Sequence, residues 1–185
     1  MEDHLIDPTK IEELITPRTS AIMAVPIWGQ PCDYTALQAI ADKHGLKLIF
    51  DSAHAFGCKS TDKYLGGFGD AEVFSFHATK VFSTGEGGAI TTNSDELAEK
   101  LRLMRNFGFE KKDTVINIGT NAKMSEFAAA YGLVHLDDLD SIIEQNKKIH
   151  HAYLDEFNEF RELTFLNYPF PGKSNYQYVV AHVKS

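Results

Sequence analysis

Three consecutive blocks between residues 19 and 50 constrain the fold most. Residues 19–27 form an apolar run rich in Ala, Ile and Val that ends at Trp28-Gly29, which reads as a buried strand. Asp33 can cap a helix over residues 34–44, whose Leu37, Ile40 and Ala41 share one face, and Gly45 can end it. Residues 46–50 form the next β-prone run. Strand, helix and strand in this order make a βαβ unit, with parallel strands and a right-handed crossover. The chain is therefore expected to be an α/β protein.

The pattern continues downstream. Residues 71–76 and 89–92 read as short strands, separated by Gly85-Glu86-Gly87-Gly88, where glycine density predicts a tight turn or a close backbone approach. Asn93 or Ser94 can cap a helix to about Asn106, with Leu97, Leu101 and Met104 on its inner stripe. Residues 108–119 are polar and loop-like. Ser125 opens a longer helical pattern that runs through Phe160, with a break expected at Asp137-Asp138. The chain then turns at Pro169 and Pro171, and residues 176–183 read as a final strand. A short amphipathic segment, residues 8–15, precedes the first strand.

Composition excludes several functions. A hydrophobic content of 43% supports a packed core over disorder. The formal net charge is -8, and the basic pairs Lys111-Lys112 and Lys147-Lys148 stand apart, so there is no basic face for nucleic acid. No apolar run approaches the ~20 residues of a membrane span. The start, Met-Glu-Asp-His, lacks the regions of a signal peptide, and a cytoplasmic protein is expected. Cys32 and Cys58 then read as two thiols. No Gly-x-Ser-x-Gly elbow and no zinc spacing among the histidines is present.

Two residues carry chemistry. Asp51 follows the strand ending at Phe50, and Lys80 follows the strand and turn of Phe74-Ser75-Phe76-His77-Ala78-Thr79. Alone, Asp51 reads as a turn cap and Lys80 as a surface lysine. Together they place a carboxylate and an amine at the carboxyl ends of strands, where α/β proteins bind ligands. That pair suits pyridoxal phosphate: the lysine forms the Schiff base and the acid pairs with the pyridine nitrogen. A reactive lysine needs a partly buried setting. The hydroxyls of Ser75 and Thr79 can bind phosphate or close turns.

The runs Asp51-Ser52-Ala53-His54-Ala55-Phe56-Gly57, Gly69-Asp70, Phe74-Ser75-Phe76-His77-Ala78-Thr79-Lys80 and Gly85-Glu86-Gly87-Gly88 resemble the DegT/DnrJ/EryC1/StrS sugar aminotransferases. Arg105-Asn106-Phe107-Gly108 and the segment from Gly119 to Glu126 fit the same family. The resemblance implies the aspartate-aminotransferase fold: a three-layer αβα large domain with a mostly parallel sheet, then a smaller α/β domain. On this reading residues 1–124 are a partial large domain, 125–160 connecting helices, and 161–185 the start of the small domain.

The resemblance also implies roles. Lys80 would hold the cofactor and shuttle protons, Asp51 would bind the pyridine nitrogen, His54 would lie against the ring, and Ser75 would bind the phosphate. Asn121 would reach the neighbouring subunit's cofactor across a homodimer, and Lys123 would approach the same shared site. The substrates would be an amino-acid donor, usually glutamate, and a nucleotide-linked keto-deoxysugar, with a 4-keto-6-deoxyhexose suggested by the residue 28–33 and 119–121 wording. Family members are far longer. Their phosphate-gripping Gly-Thr turn and ring-stacking aromatic residue are not found here, which implies a central fragment. The rival expectations are a non-catalytic interaction module and a sugar dehydratase. The dehydratase relatives carry histidine where this chain has Lys80.

Overall fold

The computed structural model describes residues 4–166 and 172–184. Its strands are β1 (Ala21–Ala24), β2 (Lys47–Asp51), the small pair β3 (Lys59–Ser60) and β4 (Lys63–Tyr64), β5 (Ala71–Ser75), β6 (Gly88–Thr91), β7 (Phe109–Lys111), β8 (Thr114–Val115), β9 (Leu163–Phe165), β10 (Gly172–Lys173) and β11 (Ala181–Val183). The main sheet has the order β1-β2-β5-β6. Its first three strands are parallel, and β6 runs antiparallel to β5. The mostly parallel α/β architecture expected from the βαβ unit is thus present.

The first helix, α1 (Tyr34–His44), has the expected bounds because both ends carry strong local signals. The Asp33 side chain accepts the Ala36 N–H at 2.9 Å, and Gly45 adopts the left-handed conformation with φ 62°. Tyr34, Leu37 and Ala41 form its buried face. They pack with Ile22, Ala24, Leu48, Phe50 and Phe74, which project from one face of the sheet. Ile143 of α4 (Leu139–Glu156) joins the same core. Leu37, Leu48 and Phe50 are fully buried, each contributing roughly 1.5–3 kcal/mol. On the opposite face Met23, Val73 and Ile90 remain exposed, Met23 by 66%.

The remaining helices are α2 (Asp95–Met104) and α3 (Glu126–Asp137), capped by Ser94 and Ser125. The break at Asp138 occurs as expected. Four expectations need correction. The polar stretch 108–119 contains the β7–β8 hairpin. The last helix stops at Glu156, because Phe157 leaves helical geometry and its ring gathers with Phe160 and Phe165, turning the chain back into β9. The final strand is only Ala181–Val183, paired with β9. Before it, the Asn175 and Gln177 side chains bond other loops, and among the described residues only the Val180 carbonyl extends the pairing, to the Leu166 N–H. The first strand is also shorter than its apolar run, since a 3-10 turn at Ile27–Gly29 follows Pro26.

Residues 8–15 form two 3-10 turns that insert Ile11 into the core. Pro169 and Pro171 lie outside the described residues. Both cysteines are buried free thiols. Among the described residues no helix is long and apolar enough to cross a membrane. Helix α3 is apolar around its circumference and leaves Phe127, Leu133 and Val134 exposed, Phe127 by 83%. An apolar surface of this kind marks an interaction face.

Candidate functional site

Parallel pairing brings the carboxyl ends of β1, β2 and β5 to one edge of the sheet. Three loops leave that edge: Trp28 follows β1, Asp51 ends β2 and leads to His54, and Ser75 ends β5 and leads to Lys80. The register Asp51↔Val73 and Ser75↔Gly88 puts the Asp51 and Ser75 side chains on the face away from the packed core.

Asp51 is half-buried, and its Oδ1 accepts the Ala53 N–H at 3.2 Å. One carboxylate oxygen therefore closes the local turn, while Oδ2 has no hydrogen-bond partner among the described residues. Ser75, also half-buried, accepts the His77 N–H at 3.4 Å and keeps its own hydroxyl proton to donate. Lys80 is half-buried at the end of a turn in which its N–H bonds the His77 carbonyl at 2.9 Å. Its Nζ makes no ion pair among the described residues. His77 is occupied locally, by Thr79 Oγ1 at 2.9 Å and by Glu86 at 3.5 Å.

His54 links these groups. Its Nδ1 accepts the Trp28 N–H at 3.2 Å, and its ring packs against Tyr178 with centroids 4.7 Å apart. Burial, and secondarily the positive charge of Lys80, lower its pKa below the ordinary value of 6.5, while Asp51 opposes the shift. The three side chains thus share one electrostatic environment. The accepting Nδ1 places the neutral ring's proton on Nε2. Because the folded value is depressed, this histidine contributes stability that is complete above pH 6.5 and is lost as pH falls from there through the folded value. Nitrogen-detected NMR at pH 6.5 should show His54 mostly neutral with Nε2 protonated. A doubly protonated ring there would contradict the geometry.

Asn121 and Lys123 stand apart from this edge. Asn121 is exposed and pairs through its backbone with Asn106, and the Lys123 ammonium lies 4.4 Å from the centroid of the Phe107 ring.

Other residues around the site were not evident from sequence. Glu72 is fully buried, and its carboxylate accepts the Ser52 hydroxyl at 2.9 Å and the N–H groups of Gly66 and Phe68 at 2.7 and 2.8 Å. It anchors the residue directly after Asp51. An acid between Ala71 and Val73, at an inward position of an apolar strand, was the available signal. Asn175 and Gln177 also reach the loops of this edge, with no signal in the local pattern.

The fold and this edge define an α/β core whose sheet edge carries an acid, an imidazole, a hydroxyl and an amine. Residues 1–184 match the DegT/DnrJ/EryC1/StrS aminotransferase family, and the chain belongs to it. It is 43% identical over 176 residues to the dTDP-4-amino-4,6-dideoxy-D-glucose transaminase of Shigella dysenteriae, covering 95% of this chain and 48% of that protein. The structure of DesI with its TDP-sugar product shares 42% identity with a TM-score of 0.92, over 99% of this chain and 47% of that one. The pyridoxal phosphate form of the sugar aminotransferase Spr1654 from Streptococcus pneumoniae shares 25% identity with a TM-score of 0.87, over 97% and 52%. The chain spans about half the length of the curated relatives it matches.

Proposed function

We propose that this chain forms the cofactor-binding core of a pyridoxal phosphate-dependent aminotransferase acting on a nucleotide-linked keto-deoxysugar. The observation that supports the reading is that Asp51 and Ser75 end the neighbouring strands β2 and β5, while His54 and Lys80 lie in the loops that follow them. The donor set fits the cofactor. Among the described residues, Oδ2 of Asp51 is open to a pyridinium N–H, the Ser75 hydroxyl suits a phosphate, and the Lys80 amine is in no ion pair. Pyridoxal phosphate supplies, when bound, an electron sink for charge developing at the substrate carbon.

The residues divide the work. The Asp51 carboxylate would pair with the pyridine nitrogen and favour its protonated form. His54 donates from Nε2 and, being neutral, adds no positive charge beside Lys80. Lys80 would hold the cofactor, and its Nζ would take up and deliver a proton at the substrate carbon. The donor is an amino acid, glutamate by preference, and the acceptor is a 4-keto-6-deoxyhexose. The exposed apolar surface of α3 supports a homodimer, in which Asn121 and, with it, Lys123 serve the partner's site.

Steady-state kinetics on the complete enzyme test this reading. Varying donor and keto-sugar together should give the parallel double-reciprocal lines of a ping-pong mechanism, with an amino sugar as product. Intersecting lines, or a deoxysugar formed without nitrogen, would exclude it.

A further inference from the structure

The segment from Asn175 to Gln177 reaches back from the far end of the chain and binds two loops of the candidate site. Asn175 is fully buried. Its amide donates to the His54 carbonyl at 2.9 Å and to the Phe56 carbonyl at 3.1 Å. Its Oδ1 accepts the Gln177 N–H at 3.1 Å. The Gln177 side chain then accepts the Val81 N–H at 2.8 Å and donates to the Thr79 carbonyl at 3.3 Å. These last two groups flank Lys80, whose own N–H is tied to His77. The backbone on both sides of Lys80 is therefore held.

Only a primary amide can do this, because it offers an acceptor and a donor side by side. Gly29 makes room for the arrangement. A Cβ there would lie 3.1 Å from Asn175 Oδ1 and 3.3 Å from the His54 carbonyl, and φ is 82°. The Gln177 main-chain N–H is bonded to Asn175 Oδ1, so the two residues form one strap from the His54 loop to the Lys80 loop.

We propose that Asn175 and Gln177 are positioning residues that fix Lys80 and His54 relative to each other. The inference rests on the cofactor-binding reading of those two residues. It makes the segment around residue 176 part of the site's construction, even though neither amide takes part in the chemistry.

The test uses this chain with Gln177→Leu, which removes both bonds, and Gln177→Glu, which keeps the acceptor for Val81. Hydrogen exchange at Val81, borohydride trapping of pyridoxal phosphate on Lys80, and thermal melting are measured together. Gln177→Leu should speed Val81 exchange and raise the cofactor concentration for half-maximal trapping, each on the order of tenfold. Gln177→Glu should restore most of the Val81 protection and much of the trapping. Unchanged exchange or unchanged trapping in Gln177→Leu overturns the proposal, as does a melting change with no effect on trapping. If the unaltered chain traps nothing on Lys80, the cofactor reading fails. Exchange at Val81 then still decides whether the strap exists.

Discussion

Replacing Lys80 with alanine in the complete enzyme is expected to reduce single-turnover amino transfer from donor to cofactor by at least 10²–10⁴-fold, the range for loss of a positioned proton-transfer group. The loss of covalent attachment adds to this. Folding should be little affected, because the Lys80 ammonium makes no ion pair among the described residues and the turn is held by backbone bonds and by Gln177. Lys80→Arg should be equally inactive, since a guanidinium cannot lose its proton and act as the attacking amine. Rapid-mixing absorbance with saturating donor measures the effect. A Lys80→Ala rate within tenfold of the parent would show that another base does the work.

The second large effect concerns Glu72. Its carboxylate satisfies the Ser52 hydroxyl and two backbone N–H groups in a fully buried position. Glu72→Ala would leave all three without their partner and open space beside the core. Unsatisfied buried donors cost about 1–3 kcal/mol each, so a total of about 3 kcal/mol or more is expected. For a chain of this size that lowers the melting temperature by roughly 6–12 °C. Glu72→Gln keeps an acceptor oxygen for the two N–H groups and should lose much less. Urea melts of both variants measure the difference. An alanine variant within about 1 kcal/mol of the parent would mean that the buried carboxylate is replaceable by water.

The comparison between these sites shows what the sequence could reveal. Helix α1 was legible to the residue because Asp33 and Gly45 act within one turn of their own positions. The placement of Asp51 and Lys80 at one sheet edge was legible because Asp51 ends an apolar strand and Lys80 follows another, and parallel pairing then decides where strand ends meet. The antiparallel direction of β6 was not, since no local pattern encodes the hand of a return. Residues 176–180 carry strand-like composition, yet the regular pairing with β9 is confined to Ala181–Val183, while Asn175 and Gln177 contact partners 121 and 96 residues away, a placement that no local pattern encodes. Glu72 was overlooked because its strand was read by its apolar neighbours.

The central claim is that the rim of β2 and β5 binds pyridoxal phosphate through Lys80. It is tested most directly by titrating this chain with pyridoxal phosphate, reducing with borohydride and mapping the labelled peptide, with Lys80→Ala as control. The account predicts a saturable visible band, one labelled peptide containing Lys80, and no band in the control. Scattered labelling of surface lysines, or the same band in Lys80→Ala, would contradict it.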